Sequence, residues 1–267
     1  MSEAGKIRFL RLAHEELSRE KTRDGIGLLA EKRLHGLLKR WVLDDAACHE
    51  VKVVGRGEKK RRFVADILTP EGEIVEVQTG KLYPMRSKIA FYMEETDHPV
   101  TVLHPLFLEK RISWLDAHTG EVAARKKSPL HEKPLHGLAE LKPYIHLLGS
   151  PRFTVCFPSL EVEEYRLLDG WGKKGKRGSH RYELIPVALL DTLWLRTRED
   201  YAALFPADPR LAAPFTAKAF SRVTHLRGYA LYDVLAVFEG LGVIEKCGKE
   251  GRAALWHTFK GEDTVAF

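Results

Sequence analysis

Apolar residues along this chain fall first at helical spacing, then in alternation, then at helical spacing again. From about Glu3 to Arg23, Ile7, Leu10, Leu12 and Leu17 punctuate a charged stretch, which predicts an amphipathic helix. The segment "TRDGIG" breaks it. "IGLLAEKRLHGLLKRW" resumes the period with Ile26, Leu29, Leu34, Leu37, Leu38 and Trp41, and Glu31 falls near the middle of that second helix. After the turn "LDDAA", "HEVKVVG" reads as a strand, and "FVADILT" and "IVEVQT" read as a β-hairpin joined by "PEGE". "PMRSKIAFYMEE" opens with Pro84 at a permitted helix start, and "PVTVLHPL" is a short buried strand. Helix, three strands, helix and strand imply a small mixed sheet covered by helices, which accounts for its apolar strands.

The later chain is less regular. "RISWLDAHTGEVAARKKS" predicts a hairpin turning at "HTGE", followed by one helix around "LHGLAELKPYIHLL". "FTVCFPSLEVEEYRLLDGW" and "RYELIPVALL" predict strands flanking the basic loop "GWGKKGKRGSHR", and "ADPRLAAP" reads as a linker. Beyond it, Thr216 caps a short helix, "HLRG" turns, "YALYDVLAVFEGLG" forms a longer helix ending at glycine, and "VIEKCGKEGRAALWHTF" forms a hairpin. These readings divide the chain into residues 1–150, a β-rich middle segment at 151–213 and a C-terminal unit at 214–267.

Composition narrows the partners. The chain has 267 residues, 44% apolar and 30% charged, as in a globular protein, and no apolar run is long enough to span a bilayer. "MSEAGKIRF" lacks the apolar core of a signal peptide. Cys48, Cys156 and Cys247 lie far apart without CxxC spacing, which fits a reducing, cytoplasmic setting. The net charge of +6 is clumped in "RGEKKRR" (Arg56 to Arg62), "RKK" (Arg125 to Lys127) and "KKGKR" (Lys173 to Arg177), a pattern that suits a polyanion such as nucleic acid. Each cluster taken alone also reads as a solvated loop.

Candidate chemistry sits in the hairpin "RFVADILTPEGEIVEVQTG". Glu76 and Gln78 share one strand face, opposite Val75 and Val77. Asp66 joins them only if even-numbered residues pair with even-numbered ones, as with Asp66 across from Gln78. That register demands an odd number of unpaired residues at "PEG", or a bulge. Two carboxylates this close repel unless a cation lies between them or one is protonated. Oxygen donors favour Mg2+ or Mn2+, ions that act on phosphodiesters.

At these residues the chain resembles the PD-(D/E)XK nuclease superfamily. Its motif is an acid, a spacer and (Asp/Glu)-x-Lys on the next strand; here Asp66 is followed ten positions later by Glu76-Val77-Gln78. The resemblance covers about residues 25 to 108 and implies an α/β fold with a restriction-endonuclease-like αβββαβ core. It also implies Asp66 and Glu76 as metal ligands, the Val77 carbonyl as a third, and Glu31 as the auxiliary acid that holds water or a second ion. Two positions depart from the pattern. Ala65 stands where proline is common, and Gln78 stands where lysine is usual. Glutamine can orient water but cannot act as a base. Lys81, Arg86 or Lys88 could supply the missing charge.

Helix, turn, helix and hairpin in the C-terminal unit is the winged-helix order. The longer helix is poor in basic residues, which weakens a major-groove reading, but Arg227, Lys249 and Arg252, with Arg222, His225 and Lys246, could touch phosphates. Lys59, Lys60, Arg61, Arg62, Lys173, Lys174, Lys176 and Arg177 are the other candidate nucleic-acid contacts. Other chemistries are poorly supported. His49, His98, His104, His118, His131, His136 and His146 show no HxH or HxxxH spacing, no serine lies in a GxSxG context, and "GWGKKGKRG" lacks P-loop order. The sequence therefore leads to a Mg2+-dependent endonuclease acting on DNA, more than RNA. The alternatives are a nuclease-fold adaptor without chemistry and a recombination or transposition subunit. A homodimer or a protein partner engaged through the winged helix is compatible with each.

Overall fold

The computed structural model describes residues 3–18, 28–57, 60–129, 131–170 and 178–259. The fold is mixed α/β. Helices α1 (Glu3–Ser18) and α2 (Leu28–Val42) precede strands β1 (His49–Val54), β2 (Arg62–Leu68) and β3 (Ile74–Val77), helix α3 (Arg86–Glu95) and strand β4 (Val100–Leu103). This is the order that the apolar periodicity predicts. Strands β5 (Leu106–Asp116) and β6 (Val122–Lys127) form the hairpin expected at "HTGE", and α4 (Pro134–Glu140) runs into a 3-10 turn at Lys142–Leu147. The single helix expected there is broken where Pro143 follows Lys142, since proline brings no N–H and restricts the residue before it.

Strands β7 (Phe153–Leu168) and β8 (His180–Leu195) follow, then α5 (Arg198–Ala202), β9 (Phe215–Thr216), α6 (Ala217–Thr224), α7 (Gly228–Gly240), β10 (Ile244–Glu250) and β11 (Ala253–Thr258). The main sheet runs β1-β2-β3-β4-β7-β5-β6, with β8 also on β7, and a small sheet runs β10-β11-β9. The division expected at residue 150 thus falls inside one sheet, because β7 pairs in parallel with both β4 and β5. One register continues from Leu103↔Cys156 to Leu106↔Ser159, which sets His104 and Pro105 opposite Phe157 and Pro158. Neither proline can donate a ladder hydrogen bond, so β4 and β5 are one extended path interrupted where two prolines face each other.

Two apolar clusters cover the sheet. One joins Phe91 and Tyr92 of α3, Leu138 of α4 and Phe153, Val155 and Phe157 of β7, and continues into Phe220, Val234 and Phe238 of α6 and α7. The other packs Phe9, Leu12, Leu34, Leu37 and Leu38 of α1 and α2 on Val75, Val77 and Leu160. Beyond them, the fully buried Glu164 of β7 is held by Lys110, by Arg166 at 2.6 Å and by Arg181 at 3.4 Å. Among the described residues no helix is long and apolar enough to cross a membrane.

Gly137 lets α4 lie flush on β7: a Cβ there would come within 2.7 Å of the Phe157 ring. Glycine-to-alanine in a helix usually gains stability, but here the ring must move. Gly137→Ala is expected to lose about 1–3 kcal/mol in denaturant unfolding, the cost of overpacking. A gain would show that the helix lies less close to the sheet.

Candidate active site

The hairpin satisfies the parity condition. Ile67 pairs with Val75 and Leu68 with Ile74, so continued pairing sets Asp66 against Glu76 rather than Gln78. Thr69 N–H donates to Glu73 O at 2.9 Å, leaving Pro70, Glu71 and Gly72 as an odd-numbered loop in which Gly72 takes φ +87°. Glycine adopts that left-handed conformation without a Cβ clash.

Past Ile67 the two strands part, and the acids fill the fork. The N–H of Val77 donates to Asp66 Oδ2 at 2.8 Å, while the N–H of Asp66 donates to Glu76 Oε1 at 3.4 Å. Each carboxylate thus takes the place of a ladder acceptor on the facing strand. Side-chain alternation in β2 also slips here: Ala65 belongs to the α3 side of the sheet and Ile67 to the α2 side. In β1, Glu50, which lies between the partners of Ala65 and Ile67, takes φ +53°. The irregularity leaves Asp66 able to meet both helices' side chains.

Glu76 is 1% exposed and Asp66 is 9% exposed. From α3, Lys88 Nζ donates to Glu76 Oε2 at 2.6 Å and the Tyr92 hydroxyl donates to Oε1 at 3.1 Å. From α2, His35 Nε2 lies 3.5 Å from Asp66 Oδ2. Burial and the neighbouring Asp66 carboxylate push Glu76 up to about 7, against the pull of Lys88 and Tyr92. Burial would also raise Asp66, but His35, the Val77 N–H and Lys88 outweigh it and hold Asp66 below the ordinary carboxylate range. Proximity to the Glu76 carboxylate and burial push the Tyr92 phenol upward, burial being the larger cause.

The other candidates are distributed around this pair. The Gln78 side-chain amide donates to Lys81 O at 2.8 Å, turned from the acids, and the Gln78 backbone carbonyl accepts from His104 Nδ1 at 2.7 Å. Lys81 pairs with Glu140 of α4 instead. The structure therefore brings Lys88, and not Lys81, to the acids. Arg86 stacks on exposed Tyr83 with its guanidinium 4.0 Å from the ring centroid. Glu31 lies on α2, but its side chain lies outside the described residues, as do Lys59, Lys173, Lys174, Lys176 and Arg177.

Lys60, Arg61 and Arg62 sit at the far end of the first hairpin, where Arg61 pairs with Glu95 at 2.9 Å in the last turn of α3. Lys88 to Glu95 spans about 10 Å of helix, so this cluster stands apart from the acid pair. Arg227 is exposed just before α7, and Lys249 and Arg252 are exposed in the β10–β11 hairpin. His35 and Tyr92 were not singled out as partners of the acids by the sequence. The signal for Tyr92 was its place four residues after Lys88, on the same helix face.

Paired carboxylates are donors of the kind that hard cations take. The fork holds two of them, one raised by burial and by its neighbour, and among the described residues Asp66 Oδ1 receives no hydrogen bond. Among the described residues no three His, Cys, Asp or Glu side chains are grouped to hold an ion, so two acids and backbone oxygen are what the fork provides.

The comparisons with known proteins bear on the same region. Residues 32–196 match the family described as Domain of unknown function (DUF8091). The chain belongs to this family. The match covers more than half of the chain, begins within α2, ends just after β8 and contains His35, Asp66, Glu76 and Lys88. No curated protein and no solved structure matches the chain.

The sign of the Glu76 effect on stability is fixed. Its folded value of about 7 exceeds the ordinary 4.5, so its contribution is fully present below 4.5 and is lost as pH rises through about 7. The window of Asp66 lies below its ordinary 3.8. Unfolding stability is expected to fall by on the order of 2 kcal/mol between pH 5 and pH 8, and Glu76→Gln to flatten that slope. A slope unchanged in Glu76→Gln would contradict the buried placement of this acid.

Proposed function

We propose that this chain is a metal-dependent nuclease that hydrolyses phosphodiester bonds. The observation that carries this reading is the buried pair Asp66 and Glu76 in a strand fork, with Lys88 delivered to the same spot by the next helix. The order of α2, β1, β2, β3, α3 and β4 around it supports a restriction-endonuclease-like αβββαβ core. The order of α6, α7, β10 and β11, with β9 completing a three-stranded sheet, supports a winged-helix unit beside it. The basic net charge suits a nucleic-acid substrate.

Asp66 and Glu76 would hold Mg2+ or Mn2+, with the Val77 carbonyl as a third donor. Bound there, the ion would supply Lewis acidity toward a phosphodiester and toward water. Lys88 places a positive charge beside Glu76, where a (Asp/Glu)-x-Lys motif would carry it from the strand. That ammonium partly offsets the charge of the acid pair and would face the charge that develops on a phosphate. Gln78 packs the strand end through Lys81 and His104, a structural part rather than a base. His35 fixes the Asp66 carboxylate from the other face of the sheet.

A second reading has its own observation. Glu76 has protein donors on both oxygens, so the fold could be a nucleic-acid-binding adaptor in which Lys88 closes the site. A recombination or transposition subunit fits the same architecture by analogy alone.

Cleavage of labelled DNA in Mg2+ separates these. Asp66→Ala and Glu76→Ala are expected to abolish it while leaving binding in EDTA within a few-fold, and Lys88→Ala to lower it by about 100-fold or more. Cleavage that persists in both acid variants removes the hydrolytic reading. Wild-type binding that is equal in Mg2+ and EDTA, with no cutting, favours the adaptor.

A further inference from the structure

A cavity of about 330 Å3 is lined by the segment that follows β3, by the junction of β4 and β5, by residues of and just before α4, and by Ala230 of α7. Its volume is at the small end of ligand pockets, roughly 300–1,000 Å3. Leu106, Ala139 and Ala230 supply apolar wall. The charged lining groups are two acids, Glu132 and Glu140, and one lysine, Lys81.

Those charges do not balance. Lys81 is spent on Glu140, whose Oε2 also accepts the Leu82 N–H at 3.3 Å. Glu132 accepts the Phe107 N–H through Oε2 at 2.8 Å, but among the described residues it forms no ion pair and its Oε1 receives no hydrogen bond. A half-buried carboxylate is left without a counter-charge.

His104 adds a second unused acceptor. It is 9% exposed, and its Nδ1 lies 2.7 Å from the Gln78 carbonyl. A carbonyl accepts and cannot donate, so Nδ1 carries the ring hydrogen. Burial holds the ring below the ordinary imidazole range, against the pull of the Gln78 carbonyl, Glu140 and Glu132. Both acids therefore stand close enough to act on the ring. At neutral pH the ring is uncharged, and Nε2 keeps a lone pair to which no described residue donates. The other lining imidazole, His136, is engaged through Nδ1 with the Lys133 N–H at 3.0 Å.

We propose that this cavity binds the primary ammonium group of a small apolar amine, which donates to Glu132 and to His104 Nε2 while its hydrocarbon lies on Leu106, Ala139 and Ala230. An ammonium offers three donors and no acceptor, the complement of two unfilled acceptors beside one uncompensated negative charge. An anion would meet the Glu132 carboxylate with the lining lysine already paired. Among the described residues no three His, Cys, Asp or Glu side chains are grouped to hold a metal ion, so hydrogen bonds rather than coordination hold this cation. The site stands whether or not the acid pair of the strand fork cleaves phosphodiesters.

The test is a ligand-observed NMR titration of the full chain with benzylamine, benzyl alcohol and benzoate, three probes of similar shape and different charge. Benzylamine, protonated at neutral pH, is expected to bind saturably and at least about tenfold more tightly than the alcohol or the acid, as a charged hydrogen bond would give. Glu132→Gln keeps an oxygen for the Phe107 N–H and should weaken the amine by about tenfold or more, while Glu250→Gln on exposed β10 leaves it unchanged. Thermal denaturation checks the fold of each variant, and Ala230→Leu, which takes up cavity space from α7, should weaken the amine independently of Glu132. A lysine side chain presents the same ammonium, so N-acetyl-lysine methylamide is the fourth probe: tighter binding than benzylamine makes a protein side chain the source, and weaker binding makes it a free amine. No saturable binding of benzylamine, equal binding of the alcohol or benzoate, or an unchanged affinity in folded Glu132→Gln overturns the proposal.

Discussion

The proposed chemistry of this chain depends on a place where two strands stop pairing. An antiparallel ladder normally satisfies its own N–H and C=O groups, and a break in the sheet interior would leave them exposed to an apolar surround. Here the break is closed by side chains. Asp66 accepts from Val77 N–H, and Glu76 accepts from Asp66 N–H, so two carboxylates are held in the interior by the backbone they replace. Burial and the Asp66 carboxylate raise Glu76, which Lys88 and Tyr92 only partly offset, while His35, the Val77 N–H and Lys88 together hold Asp66 down. A buried carboxylate pair of this kind is where the proposed cation would bind.

The remainder of the fold holds that fork in place. Strands β3 and β4 continue in parallel beside it, and β7 ties β4 to β5 across two facing prolines. Apolar layers on both faces keep α2 and α3 at the distance from which His35 and Lys88 reach the acids. Helix α7 packs on the 3-10 turn that follows α4 through a close approach in which a Cβ at Gly240 would lie 2.4 Å from Ile145. The C-terminal unit is thereby seated next to the segment that leaves β3.

Much of this was legible from the amino-acid order. Helical and alternating periods gave the elements from α2 to β4, and the sequence set the parity condition, an odd-numbered loop or a bulge, that the three-residue loop at Gly72 meets. What was not legible was non-local. Alternation assumes a regular pleat, so it could not reveal the slip between Ala65 and Ile67 or the left-handed Glu50 opposite it. The partner of Asp66 came out two residues short of Gln78 because the loop keeps Thr69 and Glu73 paired. Charge runs said little about the site, since Arg56 and Arg61 are spent on Asp97 and Glu95 at the far end of α3. The choice of Lys88 over Lys81 turned on α4, whose Glu140 draws Lys81 away. The membership of β7 in the main sheet was hidden for the same reason, because a parallel partner far along the chain leaves no local trace.

The central claim is that Asp66 and Glu76 share a divalent cation. Crystals of the wild-type protein soaked in Mn2+ test it directly through anomalous scattering at the fork. The account predicts a peak within coordinating distance of both carboxylates, with Lys88 displaced from Glu76. A fork with no such peak and Lys88 still on Glu76 at saturating Mn2+ would contradict it.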